Sequence, residues 1–299
     1  MKIWITEQEA YELIQNDEAV LFDCRGVMDN LEQSIQNYMD ERIEGAEYIH
    51  SFLMGQNPMS GGRHPLPDLN NFVEMVEAYA QGRKIIGYDN RNSFYGTRFV
   101  FLCHLVGLEC FLIQEGYEDV KLLKKSVADP LQSKPHATIK IYESSVEEYE
   151  KQKQKYLEKM NRDCNNQYNK NIITFCDHIQ SIIQTPQNDV VLIDARAHER
   201  YIGEIEPMDK IAGHIPTAIN IPFSEVYTND LPKDEKALRE VFKSVLGKKS
   251  VVYCGSGLSA TPLYVALKTL NEDVQVYAGS YSEWVSIYPE NIETGESYE

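Results

Sequence analysis

The chain has 299 residues, enough for two domains of ordinary size, and its hydrophobic share of 42% is sufficient for packed cores. Its net charge of −17 argues against nonspecific nucleic-acid binding, because phosphate backbones are bound by basic surfaces. No apolar run approaches the roughly 18 residues of a membrane span, and the acidic N-terminus lacks the apolar segment of a signal peptide. We therefore expect a cytoplasmic protein with no nucleic-acid or membrane partner.

Strand and helix patterns alternate in the first half of the chain. Val20–Asp23 and Lys84–Tyr88 are short apolar runs typical of buried strands. Between Phe99 and Val106, apolar residues recur at helical spacing, and Gly107 follows as a stop signal. This alternation predicts an α/β fold with an open, mainly parallel sheet and helices on both faces.

The middle of the chain has a different composition. Glu147–Lys159 is polar nearly all round, and Asn161–Asn171 has no periodicity. We interpret this insert as a solvated helix and loop that act as a spacer, with a docking surface as the alternative.

The second half repeats the motifs of the first in the same order. Val20–Arg25 recurs as Val191–Arg196, and Lys84–Asp89 corresponds to Ser250–Cys254, at separations of about 165–170 positions. A helical pattern over Glu240–Leu246 precedes the later strand. The repeat predicts a first domain at residues 1–130, a linker at 131–183 and a second domain at 184–299.

The six cysteines are scattered, with no CxxC pair and no zinc-type spacing, which favours free thiols in a reducing compartment. One of them is distinctive. Cys254 ends the apolar run Val251–Tyr253 and opens a glycine-rich loop, and Thr261–Leu270 then reads as a helix. Such a loop directs backbone N–H groups at the sulfur, which favours the thiolate and binds anions beside it. A buried core cysteine is the other interpretation, but the glycines on both sides of Ser256 favour a nucleophile.

Four groups of motifs resemble the tandem-domain rhodanese family of sulfurtransferases, in the order the family has them. They are Gly62–Pro67 with Tyr88–Asn90, Asp194–Gly203 with Gly213–Pro216, the loop Cys254–Ala260, and Gly279–Trp284. The loop is similar to that of the mercaptopyruvate sulfurtransferase branch. The match takes in most of the chain except the insert near residues 143–171.

The resemblance implies two rhodanese-like domains, of which only the second carries the nucleophile. Cys254 would take sulfur from thiosulfate or 3-mercaptopyruvate as a persulfide and pass it to cyanide, a thiol or a thioredoxin-like protein. No metal or organic cofactor is implied. In the first domain Asp89 stands in the place of the cysteine, so that domain cannot run the reaction.

The resemblance also suggests which residues bind the donor. Arg200 matches the family's substrate arginine and would hold an anionic group. The second substrate arginine of the mercaptopyruvate branch is replaced by Met208, so Lys210 is a candidate for that charge. The remaining candidates belong to the cysteine loop: Gly255, Gly257, Leu258 and Ser259.

Ser256 and His64 form a candidate proton relay by the same resemblance. The aspartate expected as the third member falls at His50, so the relay would have two members, and a serine that only hydrogen-bonds the loop is the alternative. Asp194 and Arg196 are expected to form a structural ion pair.

Two other functions fit parts of the sequence. A phosphatase or arsenate reductase would need an arginine to close the loop, where Ser259 and Ala260 stand, so the sequence argues against this class. A persulfide relay module for a dedicated protein partner, with little turnover of small donors, remains the alternative to an enzyme.

Overall fold

A computed structural model describes residues 1–50, 53, 55, 62–127, 168–185 and 189–296. The chain forms two compact units. The N-terminal unit comprises Lys2–Met59 and Pro67–Tyr168, and the C-terminal unit comprises Met1, Ser60–Leu66 and Asn169–Glu299. The C-terminal unit is therefore discontinuous in sequence, because it includes a short segment from the first half.

The described part of the N-terminal unit contains a five-stranded sheet, a two-stranded sheet and four α-helices. Its strands are β1 (Trp4–Ile5), β2 (Ala19–Asp23), β3 (Arg42–Ile43), β4 (Glu47–Tyr48), β5 (Lys84–Tyr88), β6 (Cys110–Ile113) and β7 (Lys125–Ser126). Its helices are α1 (Glu7–Gln15), α2 (Leu31–Asp40), α3 (Leu69–Ala80) and α4 (Tyr95–Leu105), with a 3₁₀ turn at Tyr117–Asp119. The large sheet is parallel, in the order β1-β6-β5-β2-β4, and β3 pairs with β7 antiparallel.

The described part of the C-terminal unit has the same plan. Its strands are β8 (Ile173–Thr174), β9 (Val190–Asp194), β10 (Ile219–Asn220), β11 (Tyr227–Thr228), β12 (Leu231–Pro232), β13 (Lys249–Tyr253) and β14 (Val274–Tyr277). Its helices are α5 (Cys176–Gln184), α6 (His198–Tyr201), α7 (Glu235–Val241), α8 (Thr261–Thr269) and α9 (Ser280–Ile287), with 3₁₀ turns at Lys170–Ile172 and Phe223–Val226. The parallel sheet runs β8-β14-β13-β9-β10, and β11 pairs with β12 in a hairpin.

Local sequence signals explain where several helices begin. Thr6 and Glu9 form a capping box at the start of α1. Asp68 and Asp234 accept backbone hydrogen bonds at the starts of α3 and α7. Pro262 lies in the first turn of α8, where its missing N–H costs nothing. These caps fix the ends of helices that pack against the two sheets.

The two sheets have equivalent strand orders, which confirms the predicted α/β fold used twice. In each sheet the middle strand, β5 or β13, is almost wholly buried, as expected for a parallel strand covered on both faces. The register repeats as well: Asp23 lies opposite Tyr88, and Asp194 lies opposite Tyr253.

Two sequence interpretations differ from the structure in detail. The predicted linker at 131–183 overlaps the C-terminal unit, because β8 and α5 pack into its sheet and core. The polar helix predicted over 147–159 lies outside the described residues. The helical pattern over Glu240–Leu246 mostly forms turns, since α7 ends at Val241 and a Lys243-to-Glu240 hydrogen bond begins a tighter turn.

Candidate active site

Cys254 lies directly after β13, at the carboxyl end of the middle strand of the C-terminal sheet. The residue is 1% exposed, and its Sγ accepts a hydrogen bond from the backbone N–H of Gly257 at 3.1 Å. Gly257 has φ +86°, and a Cβ there would lie 2.5 Å from the carbonyl oxygen of Ala278. This position therefore requires glycine, and its conformation turns a backbone donor toward the sulfur.

The first turn of α9 holds the backbone of the cysteine loop. The N–H groups of Tyr281 and Ser282 donate to the carbonyl oxygens of Cys254 and Gly255, at 3.0 and 2.9 Å. Ser280 Oγ accepts from the Cys254 N–H at 3.2 Å. Backbone donors at the start of this helix, which have no partner within it, thus hold the peptide group after the nucleophile's Cα, and the Ser280 hydroxyl holds the one before it.

Ser256 and His64 lie side by side, as the sequence predicted. Ser256 Oγ and His64 Nδ1 are 2.6 Å apart, and both side chains are buried. Which atom donates depends on the imidazole tautomer. The geometry permits proton exchange between the two groups, and their part in a reaction stays a prediction.

The segment that carries His64 is tied to the start of α9. A Cβ on Gly62 would lie 2.5 Å from the carbonyl oxygen of Gly279, so the backbones of these two segments are in contact. The next residue, Arg63, donates its N–H to Ser282 Oγ at 3.1 Å. This attachment places residues 62–64 beside the cysteine loop within one unit.

Two guanidinium groups face the loop at Gly255. A Cβ on Gly255 would lie 2.8 Å from Arg63 Nη2 and 3.4 Å from Arg200 Nη2. The Arg200 side chain is 19% exposed and that of Arg63 is 27% exposed, so both are accessible from solvent. Arg200 was predicted from the sequence, whereas Arg63 was not.

Two carboxylates neutralise these arginines. Glu206 Oε1 lies 2.7 Å from Arg200 Nη2, and Asp209 pairs with both Arg200, at 3.3 Å, and Arg63. Burial raises the pKa of Asp209. The nearby charge of Glu206 raises it further, although the arginines act in the opposite direction. The pKa of Glu206 is lowered. Burial acts to raise it, but the hydrogen bonds from Arg200 and from two backbone N–H groups outweigh burial.

Asp194 and Arg196 form the buried ion pair that the sequence predicted for them. Arg196 Nη2 lies 2.6 Å from Asp194 Oδ2 and also donates to the carbonyl oxygen of Gly213 at 2.6 Å. The guanidinium packs over the ring of Tyr281, 3.9 Å from its centroid. Burial opposes the charge of Arg196, but Asp194 more than compensates and raises its pKa. The pair braces the strand end beside Cys254.

The other predicted donor-binding residues are placed less directly. Leu258 is buried, and its carbonyl oxygen accepts hydrogen bonds from Thr261 at the start of α8. Ser259 is half-buried and Lys210 is exposed. Their roles in binding a donor stay predictions.

Asp89 takes the position of the nucleophile in the N-terminal unit, directly after β5. Its carboxylate accepts hydrogen bonds from the N–H groups of Gly96, at 2.6 Å, and Asn90, at 2.8 Å. Burial raises its pKa to about 7 in spite of these hydrogen bonds. A carboxyl group thus fills the place that a thiol fills in the C-terminal unit.

Sequence reasoning missed Arg63 and Asp209. The signal for Arg63 was its place next to His64 in a motif already singled out. Asp209 lies between Met208 and Lys210, and no motif in the sequence marks it as a partner of the arginines. Among the described residues, no cluster of three or more histidine, cysteine or acidic side chains has the arrangement of a metal site. No described helix has the length and apolar character required to span a membrane.

Comparisons with known proteins show which family the chain resembles. The family model described as "Rhodanese-like domain" matches residues 6–129 and again residues 179–287. The Schizosaccharomyces pombe protein named "Probable 3-mercaptopyruvate sulfurtransferase" is 32% identical, over 83% of this chain and 79% of its own length. A Pseudomonas aeruginosa protein of the same name is 25% identical, over 98% of each chain.

A solved structure shares the fold over nearly the whole chain. The sulfur transferase subunit that is sub-stoichiometric in yeast mitochondrial complex I superimposes with a TM-score of 0.75 at 23% identity, over 99% of this chain and 100% of its own. The chain belongs to the rhodanese family, as a tandem-domain sulfurtransferase, and the resemblance seen in its motifs is confirmed.

Proposed function

We propose that the protein moves sulfane sulfur from a small anionic donor, thiosulfate or 3-mercaptopyruvate, through a persulfide on Cys254 to a thiophilic acceptor. The observation that carries this proposal is the setting of Cys254. Its sulfur accepts a hydrogen bond from the Gly257 N–H, and two guanidinium groups, of Arg63 and Arg200, face the same loop. Curated relatives named for 3-mercaptopyruvate support this choice of donor.

In the first half-reaction the Cys254 thiolate attacks the outer sulfur of thiosulfate or the thiol sulfur of 3-mercaptopyruvate. With thiosulfate, the S–S bond breaks and sulfite leaves with the electron pair. With 3-mercaptopyruvate, the C–S bond breaks and the pyruvate enolate leaves and takes up a proton, which the Ser256–His64 pair is placed to supply. The N–H of Gly257 stabilises the charged sulfur before and after transfer.

In the second half-reaction the acceptor attacks the outer sulfur of the persulfide and restores the Cys254 thiolate. Cyanide, a small thiol or a thioredoxin-like protein has the required affinity for sulfur. A reducing, cytoplasmic setting is part of this proposal, and the described cysteines are present as free thiols.

Steady-state turnover tests the proposal, with thiosulfate and with 3-mercaptopyruvate as donors and cyanide as acceptor. Cys254→Ser should abolish transfer and leave the fold intact, as measured by circular dichroism and by a thermal melt. Incubation with donor alone should add one sulfur atom to the wild type and none to the variant, as measured by mass spectrometry. Transfer by the serine variant at the wild-type rate would refute the mechanism.

A persulfide relay for a dedicated protein is the second candidate function. Glu206 and Asp209 already pair with Arg200, which makes this arginine less available to a small anionic donor. The yeast neighbour is itself a subunit of a larger assembly. Uptake of a persulfide without turnover on either small donor would favour this second function.

A further inference from the structure

The carboxylate of Asp209 lies between the two guanidinium groups that face the cysteine loop. One of its oxygens pairs with Arg63 Nη1, and the other lies 3.3 Å from Arg200 Nη2. The Asp209 side chain is 4% exposed. A carboxylate of the protein thus occupies the position between two cations where the anionic group of a donor would be expected.

The charges around the loop cancel. Three guanidinium groups are matched by three carboxylates among the described residues of this cluster: Arg63, Arg196 and Arg200 against Asp194, Glu206 and Asp209. An arriving anion therefore meets no net positive charge from this cluster as long as Asp209 keeps its place and its charge.

Of the two acids that hold Arg200, Asp209 is the less firmly anchored. Glu206 also pairs with Arg196, and its Oε1 accepts the backbone N–H groups of Met208 and Asp209 at 2.9 and 3.0 Å. The ion-pair partners of Asp209 in the described structure are the two arginines themselves. Burial disfavours the charged form of Asp209 and raises its pKa, whereas the pKa of Glu206 is lowered.

One hydrogen-bond donor of the Arg63 side chain is not engaged by Asp209. Its Nε is buried and has no hydrogen-bond partner in the described part of the chain, while its Nη1 is engaged by Asp209. Asp209 thus engages only part of the Arg63 guanidinium, through Nη1.

We propose that Asp209 is a specificity-determining residue, which occupies the anion position between Arg63 and Arg200 and selects for donors of low negative charge. A carboxylate donor brings one negative charge and takes over the guanidinium partners of Asp209. Thiosulfate brings two, and its repulsion from Asp209 is correspondingly larger. This inference rests on the proposed function, because it assumes that the anionic donor binds beside Cys254.

The test measures binding without turnover, in a Cys254→Ser background. Isothermal titration calorimetry with thiosulfate as the dianion and pyruvate as the monoanion compares that background with and without Asp209→Asn. Removing one negative charge should tighten thiosulfate binding by about tenfold and pyruvate binding by about threefold. Asp177→Asn, an exposed acid in the same unit, removes the same charge elsewhere and should change neither affinity measurably.

A second variant separates charge from structure. Asp209→Glu keeps the negative charge, and thiosulfate should bind this variant no more tightly than the parent. If Asp209→Asn does not fold, as judged by circular dichroism, Asp209→Ser replaces it in the comparison. Thiosulfate affinity that does not rise on loss of the charge, or that rises equally in Asp177→Asn, would overturn the inference.

A different result would contradict the proposed function. Absence of turnover on both donors by the wild-type protein would contradict the sulfurtransferase mechanism for small donors. The binding comparison in the Cys254→Ser background does not depend on turnover and would still give its own answer about Asp209.

Discussion

Gly257 combines two constraints, a positive φ and a close backbone neighbour, as Gly213 in the same unit also does. Its φ of +86° is unfavourable for residues with a side chain, and its Cα faces the carbonyl oxygen of Ala278. Gly247 has a similar φ of +75° but no atom within 4 Å of a Cβ position. The two glycines therefore allow backbone strain to be separated from a steric clash.

Gly257→Ala is expected to lower the free energy of unfolding by about 2–4 kcal/mol, since it adds a clash with backbone to the strain of positive φ. Gly247→Ala should cost only about 1 kcal/mol, from strain alone. Urea denaturation of both variants measures the difference. Equal costs would show that the Ala278 contact does not constrain the loop.

The same substitution should also reduce turnover, because the Gly257 N–H would no longer be aimed at Cys254 Sγ. Mutational loss of one such donor in enzymes typically costs about 10²–10³ in kcat. Gly247→Ala serves as the control for activity as well.

Asp89 should make stability depend on pH in a predictable direction. Because burial raises its pKa to about 7, its full contribution is present below the unfolded value near 4 and is lost as pH rises through 7. The ionised form costs the folded state on the order of 4 kcal/mol. Asp89→Asn mimics the neutral acid and should remove this loss.

The measurement is the free energy of unfolding of wild type and Asp89→Asn between pH 4 and pH 8. The variant should gain stability relative to wild type as pH rises, while its turnover changes little. A difference between the two proteins that does not vary with pH would contradict the raised pKa.

At the scale of elements, each unit contains the same ion pair at the end of a strand, between an aspartate and an arginine that packs over a tyrosine ring. In the N-terminal unit Arg25 pairs with Asp23 at 2.6 Å and packs over the ring of Tyr117, 3.6 Å from its centroid. In the C-terminal unit Arg196 pairs with Asp194 and packs over Tyr281 in the same way. The repeat of these contacts explains why the Asp-x-Arg motif was visible in both halves of the sequence.

Removal of one partner of such an ion pair should cost more stability than removal of both partners. Arg196→Met leaves Asp194 buried and unpaired, and about 3–5 kcal/mol of stability should be lost. The double variant Asp194→Asn with Arg196→Met removes both charges and should recover part of that loss. Chemical denaturation of the four proteins of this cycle gives the coupling energy, and strict additivity would contradict a direct interaction.

Much of this architecture could be predicted from sequence because its signals are local or repeated. The apolar strands that end at Asp89 and Cys254, the helix after the loop and the duplicated motifs are all of this kind. Strand β8 could not be found, because two residues are too few to establish a period. The main segment of the C-terminal unit in the structure begins at Asn169, ahead of the predicted domain start at residue 184.

The ion pairs around Arg200 could not be predicted either. Whether Asp209 meets Arg63 depends on how two segments far apart in sequence approach each other, and charge patterns along the chain carry no such information. His64 was found only because a resemblance supplied it, and Arg63 beside it was overlooked for want of the same support.

At the scale of the whole molecule, the net charge of −17 should act on the approach of an anionic donor. Because the arginines near Cys254 are matched by carboxylates, the repulsion of the whole protein is not offset nearby. Raising the salt concentration from about 10 to 100 mM shortens the Debye length from roughly 30 to 10 Å. The value of kcat/KM for an anionic donor should therefore increase by about twofold.

Turnover measured against sodium chloride checks this expectation, with sucrose as a control for changes in viscosity and solvation. A steady fall of kcat/KM with salt would instead indicate that local cations dominate the encounter, contrary to the neutral cluster described above.

The discontinuous C-terminal unit limits how the protein can be truncated or recombined with a relative. Residues 60–66 are encoded in the first half but belong to the unit that holds the nucleophile. A fragment that begins at Asn169 would carry Cys254 without the imidazole of His64 or the guanidinium of Arg63. A recombinant exchange between relatives would have to transfer two separated stretches of coding sequence to keep this unit whole, although the repeat suggests a single crossover point.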